Sequence, residues 1–323
     1  MILNKILKAF PTPKFLSLPF AGLSINDRAI RCIQFGKKNG RLYIEKYAER
    51  EIPPGLMTSG LTSDTEGMLK ILRNLKKELN LHYVKISLPE EKAYIFTTKI
   101  PIVKKEEVPI AVESKIEENV PVSPKELIFD YQFSPHLGQD HLDIVVAALP
   151  IKIVEMYVEL AVSSGLTLLS LEIESQAVAR AVLAEGNTET TLIIHFGQAK
   201  VGFYVVNQGI VRFTSTVQLA KDQSGKSQSF LSAEIKKLYV YWHTLKENTG
   251  KPEKKINQII ICGENLENNI VPYLSAENSS PVSLANAWAN VFDINSILPD
   301  IPFSDSLGYV TAIGLALPSD ILI

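Results

Sequence analysis

Cysteine is scarce in this 323-residue chain, which contains only Cys32 and Cys262. Both stand inside apolar, strand-like runs, which indicates buried free thiols and excludes a disulfide framework. We therefore expect a protein of a reducing compartment, the cytoplasm.

Long apolar runs are also missing. No run approaches the roughly 18 residues that a membrane-spanning helix requires, and the first residues lack the continuous apolar core of a signal peptide. We expect a chain that does not span a bilayer by itself. The segment 1–18 is predicted as an amphipathic element, because Met1 to Phe10 places apolar residues on one helical face together with Lys5 and Lys8. Two interpretations are open: peripheral contact with anionic lipid or a partner helix, or a frayed terminus.

An excess of positive charge is absent, since the net charge is -2. No basic stripe interleaved with aromatic residues occurs, which argues against nucleic-acid binding. The P-loop, the nucleophile elbow and the dinucleotide fingerprint are all missing. The histidines other than His195 are scattered and suggest no metal set. They are His82, His136, His141 and His243.

The chain does contain an internal repeat. The stretch from Glu189 to Gly263 has the same plan as the stretch from Pro19 to Pro89: three strands, an amphipathic helix and a closing strand. The predicted strands of the first copy are Phe20 to Ile25, Ala29 to Phe35, Leu42 to Tyr47 and Val84 to Leu88. Those of the second are Leu192 to Ile194, Val201 to Val205, Ile210 to Val217 and Ile259 to Ile261. A β-β-β-α-β unit that occurs twice predicts the two ribonuclease-H-like lobes of the α/β actin-like ATPase fold.

A different unit separates the two copies. Strands are predicted at 93–100, 127–133 and 141–149, and helices at 104–119 and 151–164, which together indicate a small α+β subdomain. The predicted domains are 19–92 with 166–186 and 304–323 as the first lobe, 93–165 as the inserted subdomain and 187–303 as a reduced second lobe. Small residues mark the predicted helices Glu174 to Ala184 and Leu307 to Leu317, which we expect to pair between the lobes.

In actin-like proteins, nucleotide is held between the lobes by the turn after the first strand of each. Each turn needs a carboxylate for Mg²⁺ and a glycine that lets backbone N–H groups close on phosphate. The first turn has Ser24 in place of the acid and Asn26 in place of the glycine, and the second has His195 before Gly197. Asp27 is either a substitute metal ligand or a polar turn residue. His195 is best explained as a hydrogen-bonded structural residue.

Five further residues are candidates for a nucleotide site. Arg31 and Lys200 occupy equivalent positions early in the second strand of each copy, and are either phosphate ligands or solvated strand residues. Glu174 either orients a water or begins a helix, and Glu264 either binds a ribose or begins a helix. Gly263 is the one glycine left where a pair would pack against base and ribose.

Three patches resemble one family. They are Ile116 to Pro121 followed by Phe129 to Gln132, Glu174 to Ala181, and Ala312 to Leu317. Their order is similar to that in the PilM family of actin-like type IV pilus assembly proteins, and more distantly in the FtsA family. The resemblance implies an SHS2-type inserted subdomain and a groove that takes up the N-terminal tail of PilN, an inner-membrane protein. In this chain, strand 93–100 and helix 104–119 would form that groove. Its expected residues are Lys104, Lys105, Val108, Val112 and Ile116.

The chain also departs from that family. Both metal carboxylates are missing, so Mg-dependent phosphoryl transfer loses its charge neutralisation. The connection from Gln218 to Phe230 is short where the family carries a larger helical subdomain over the adenine. We therefore predict a non-enzymatic scaffold without a cofactor, or with weakly bound ATP and Mg²⁺, that couples a pilus or competence-type machine to its cytoplasmic motor ATPase. The alternatives are a nucleotide-switched ATPase that uses Asp27 or Glu174, and a small-metabolite kinase.

Overall fold

The computed structural model describes residues 18–38, 40–134, 140–198, 200–219, 227–246, 248–292 and 299–318. The predicted amphipathic element Met1 to Phe10 and the residues 220–226 lie outside these ranges. The strands are β1 Phe20–Ile25, β2 Ala29–Lys38, β3 Arg41–Glu51, β4 Met57–Thr58, β5 Leu61–Thr62, β6 Tyr83–Leu88, β7 Tyr94–Pro101, β8 Leu127–Phe133, β9 His141–Pro150, β10 Thr167–Ile173, β11 Thr191–Phe196, β12 Lys200–Asn207, β13 Ile210–Gln218, β14 Gln258–Gly263 and β15 Val282–Leu284. The helices are α1 Thr65–Leu79, α2 Val108–Asn119, α3 Ile151–Ser163, α4 Glu174–Val182, α5 Ser227–Thr244, α6 Ile270–Glu277, α7 Phe303–Ser306 and α8 Val310–Ala316. Among these described helices, none has both the length and the apolar character needed to cross a membrane.

Two five-stranded sheets repeat one plan. The first has the order β10-β6-β1-β2-β3 and the second β13-β12-β11-β14-β15. In each sheet the first strand of the repeat pairs antiparallel with the second and parallel with the fourth, so β1 lies between β2 and β6 as β11 lies between β12 and β14. The duplicated ribonuclease-H-like lobes and the actin-like fold predicted from the sequence are confirmed.

The inserted unit is a three-stranded sheet, β7-β9-β8, covered by α2. Its strand-helix-strand-strand order confirms the SHS2-type insertion. Helix α2 begins at Val108, later than the predicted Lys104, with a 3-10 turn at Lys105–Glu107 before it. Pro109 explains this start, because proline is tolerated only in the first turn of a helix.

Helix α3 packs on the first lobe, although the sequence analysis grouped it with the inserted unit. Its buried residues Ile153, Tyr157 and Leu160 join the core formed by α1 and the first sheet. The core of the inserted unit is separate and consists of residues from β7, α2, β8 and β9. The strand β9 therefore leads directly from the inserted sheet into a helix of the first lobe.

Helices α4 and α8 meet between the lobes, as their small residues predicted. The contact is close: a Cβ added to Gly314 would lie 1.8 Å from the carbonyl oxygen of Ala177. On the other side of α8, a Cβ added to Gly22 of β1 would lie 2.1 Å from the carbonyl oxygen of Ala312. Glycine at these two positions lets the helices and the first sheet approach backbone to backbone.

Candidate functional site

Eight of the ten residues predicted for a nucleotide site line one small cavity between the lobes. They are Ser24, Asn26, Asp27, Glu174, His195, Gly197, Lys200 and Glu264. The cavity measures about 30 Å³, which is enough to hold ordered water. The other two lie next to it on a larger groove that includes Arg31 and Gly263. The sequence thus located the residues that meet in the cleft.

The turn after β1 satisfies its own backbone donors. The side-chain oxygen of Asn26 accepts hydrogen bonds from the N–H groups of Arg28 at 2.9 Å and Ala29 at 2.8 Å. The N–H of Asn26 donates to the carbonyl oxygen of Ala29. Backbone N–H groups of a turn can bind an anion, and these three already have acceptors within the turn. The turn is closed on itself.

Asp27 anchors the hairpin formed by β4 and β5. Its carboxylate accepts hydrogen bonds from the N–H of Ser59 at 2.8 Å and of Gly60 at 3.0 Å. This arrangement supports the interpretation of Asp27 as a turn residue. Backbone donors occupy both of its oxygens, so it is poorly placed to replace a missing metal carboxylate.

The turn after β11 is closed in the same way. The N–H of Gly197 donates to the carbonyl oxygen of Lys200 at 2.8 Å. His195 Nδ1 lies 3.5 Å from Glu174 Oε1 and 3.4 Å from the hydroxyl of Tyr204. Burial lowers the pKa of His195 more than Glu174 raises it, so the imidazole is neutral near pH 7. This supports its interpretation as a structural histidine.

Lys200 is neither a solvated strand residue nor free to bind phosphate. Its Nζ donates to Glu91 Oε2 at 2.5 Å and lies 3.5 Å from Glu174 Oε2. Burial alone would lower the pKa of Lys200, yet Glu174, Glu91 and Asp27 raise it above its ordinary value. Burial alone would likewise raise the pKa of Glu174, but Lys200 and His195 lower it. Both groups are therefore charged, and they neutralise each other.

Arg31 is also committed to carboxylates. It forms a two-point contact with Glu49 at 3.0 and 3.1 Å and lies 2.5 Å from Glu264 Oε1. Asn26 donates to the same oxygen of Glu264 at 3.1 Å. Glu264 does not begin a helix, because α6 begins only at Ile270. Glu264 joins the lobes instead.

Gly263 is required by its own sheet. Its φ is +106°, and an added Cβ would lie 2.0 Å from the carbonyl oxygen of Phe196 on the neighbouring strand β11. The groove of about 740 Å³ beside it has a charged lining of Arg31 and four acids. These acids are Glu49, Glu264, Glu267 and Asp305. A net negative lining disfavours a polyphosphate.

Sequence reasoning missed Glu91 and Glu49. Glu91 could have been found from the repeat, since it follows β6 as Glu264 follows the equivalent strand β14.

The partner-site prediction needs correction. Val108, Val112 and Ile116 are 3%, 0% and 0% exposed and pack into the core of the inserted unit, so they form no surface. Lys104 and Lys105 are exposed and are not among the residues that line the cleft.

The cleft does not fit Mg²⁺ with a nucleotide. Hard cations need several oxygen ligands, while the carboxylates nearest the turns are held by Lys200 or by backbone N–H groups. Among the described residues, no group of three or more histidine, cysteine or acidic side chains has metal-binding geometry.

Comparisons with known proteins are consistent with this architecture. The solved structure titled as a PilM-PilN type IV pilus biogenesis complex has a chain similar to this one, with 16% identity, a TM-score of 0.78, and coverage of 93% of this chain and 98% of that chain. The ethanolamine utilization protein EutJ from Carboxydothermus hydrogenoformans is similar at 13% identity and a TM-score of 0.51, with coverage of 95% of this chain and 90% of that chain. Both likenesses show the fold. None of the curated proteins matches the sequence.

A family model identifies the chain more specifically. The model described as type IV pilus assembly protein PilM matches residues 22–227, which is more than half of the chain and includes both turns of the cleft. The chain therefore belongs to the PilM family of type IV pilus assembly proteins.

Proposed function

We propose that this chain is a non-enzymatic scaffold at the cytoplasmic face of the inner membrane. It docks the cytoplasmic tail of a PilN-like membrane protein and links a pilus or competence-type machine to its cytoplasmic motor. Family membership supports the pilus role. The similar PilM chain, which was solved in a complex with PilN, supports the kind of partner.

The closed cleft between the lobes is the observation that supports a non-enzymatic role. Lys200 and Arg31, two of the cations that line the cleft and its adjoining groove together with Arg28, are each paired with carboxylates. Phosphoryl transfer depends on positioned cations that offset the developing negative charge. With the charges of Lys200 and Arg31 already neutralised, binding surfaces rather than hydrolysis explain the protein's role.

The docking surface is best placed where the inserted unit meets the first lobe. Helix α3 buries one face in the first lobe, while a second apolar face points outward. This outer face consists of the exposed Val158 and Val162, with the half-buried Ile151 and Val154 along the same side of the helix, of which Val154 also packs against the core of the first lobe. Val158 and Val162 are 37% and 61% exposed. We call this face the α3 stripe.

The strand β8 extends the α3 stripe. Ile128 is paired with Leu149 of β9, and paired residues point to the same side of a sheet. Leu149 belongs to the core of the first lobe, so Ile128 points toward α3. Ile128 is 47% exposed, and β8 is an edge strand of its sheet. An extended peptide with apolar anchors fits such an edge beside an apolar helix face.

A binding assay tests this surface. A fluorescent peptide with the sequence of the N-terminal tail of a PilN-like protein encoded nearby is titrated with the full chain. Val162→Asp and Ile128→Asp should each weaken binding by about tenfold or more, because burial of a large apolar side chain contributes about 1.5–3 kcal/mol. Ile110→Asp is the control, since Ile110 is 69% exposed on the outer side of α2.

Two outcomes contradict the proposal. If the wild-type chain does not bind the tail, the partner is wrong. If it binds and both aspartate variants bind equally well, the partner stands and the α3 stripe is not the docking surface.

A further inference from the structure

The two lobes are joined by a pair of ion contacts that follow the internal repeat. Arg31 lies on β2 and reaches Glu264, which follows β14 of the other lobe. Lys200 lies on β12 and reaches Glu91, which follows β6 of the other lobe. In each case, a cation on the second strand of one lobe contacts an acid after the last strand of the opposite lobe. The two ion contacts therefore occupy equivalent positions in the two copies of the repeat.

The contact at Lys200 has a second feature that the contact at Arg31 lacks. Several carboxylates of the first lobe surround a single ammonium group that comes from the second lobe. Glu91 Oε2 is 2.5 Å from Nζ and Glu174 Oε2 is 3.5 Å from it. The charge of Asp27 also stabilises the ammonium form. Ser24 and Thr311 line the same cavity as Glu174 and Lys200 and add hydroxyl oxygens to it.

We propose that the Lys200 ammonium occupies a cation site between the lobes and serves as a built-in counter-ion in place of a bound metal. The surrounding groups are carboxylate and hydroxyl oxygens, the donors that hard divalent cations prefer. Removal of the lysine side chain leaves Glu91 and Glu174 without this cation and opens space beside them. A divalent cation then binds there. In the native chain, the lobes stay together without metal or nucleotide.

Buried carboxylates explain why the cation matters. Glu174 and Glu91 have side chains that are 9% and 11% exposed. A buried charge that loses its partner is strongly destabilising, more so than an exposed pair. The inference is independent of the docking proposal, because it concerns the cleft and not the α3 stripe.

The test compares the full-length wild-type chain with Lys200→Ala. Thermal unfolding is followed in EDTA and in about 5 mM CaCl₂ or MgCl₂, and Ca²⁺ binding is measured by calorimetry. Lys200→Ala should melt several degrees below the wild type in EDTA and regain at least about half of that loss with Ca²⁺. The wild type should show no change with metal. Lys236→Ala is the control, because Lys236 forms an exposed pair with Glu277.

The proposal is overturned if Lys200→Ala gains no stability from either cation, or if the wild type itself is stabilised by them. If Lys200→Ala does not fold in EDTA, the protein is refolded with and without CaCl₂ and the yield of folded protein is measured. Lys200→Gln is refolded and measured in the same way. Recovery that requires Ca²⁺ supports a cation site. If Ca²⁺ does not change the yield of either variant, the cation site is contradicted.

Discussion

The guanidinium of Arg31, in the first lobe, lies 2.5 Å from a carboxylate oxygen of Glu264, in the second lobe. Both side chains are largely buried, with exposures of 8% and 11%. Arg31 and Lys200 both form such contacts across the cleft in which a nucleotide was expected from the sequence. The cleft is therefore an interface within the chain.

Replacement of Arg31 by methionine should destabilise the protein by about 3 kcal/mol, because it leaves Glu264 buried without its cation. Chemical denaturation measures the loss. The double variant Arg31→Met/Glu264→Gln should recover part of it, since a neutral amide needs no counter-charge. The control is Arg50→Met, whose pair with Glu78 is exposed and contributes at most about 1 kcal/mol. Equal losses in Arg31→Met and Arg50→Met would show that the contact between the lobes is unimportant.

The contact between Gly314 and Ala177 predicts a steric effect. Gly314→Ala places a Cβ 1.8 Å from a backbone oxygen, so α4 and α8 must separate, and the free energy of unfolding should fall by at least about 2 kcal/mol. Gly308→Ala is the matched control in the same segment, because its Cβ meets no atom closer than 3.5 Å. The free energies come from urea unfolding. Similar values for the two variants would argue against a tight helix crossing.

Glu90 predicts a dependence of stability on pH. It is 2% exposed and accepts a hydrogen bond from the N–H of Ser175. Burial raises its pKa from 4.5 to about 7. Since the pKa is raised in the folded state, the contribution of Glu90 is complete below pH 4.5 and is lost as the pH rises through 7.

The variant Glu90→Gln should therefore gain stability relative to the wild type as the pH rises from about 5 to about 8. The separation of the two pKa values corresponds to about 3 kcal/mol. Urea unfolding at several pH values gives this difference directly. A constant difference between variant and wild type across that range would mean that Glu90 does not titrate there.

The fold was predictable because its signals are local. Alternating Val201, Phe203 and Val205 mark β12, and the apolar spacing of Met68, Leu72 and Leu75 marks α1. The repetition of this order then identified the lobes. The pairing of α4 and α8 was predictable for the same reason. Small residues such as Ala177 and Gly314 are visible in the sequence and let two helices pack closely.

The partners of the site residues were not predictable in the same way. Lys200 and Glu91 are 109 residues apart, and Arg31 and Glu264 are 233 apart, so a lone charge in a strand resembles a solvated residue. Helix α2 posed a different problem. Its apolar face looks the same in the sequence whether it covers its own sheet or receives a peptide. The burial of Val112 decides that it covers its own sheet.

Calorimetric titration of the full-length chain with ATP and Mg²⁺ tests the central claim most directly. The closed cleft predicts no saturable heat and no change in melting temperature at millimolar nucleotide. A ligand at about 100 times its Kd would stabilise the native state by about 2.7 kcal/mol. Saturable binding of Mg-ATP with a Kd in the micromolar range, accompanied by such stabilisation, would contradict the account.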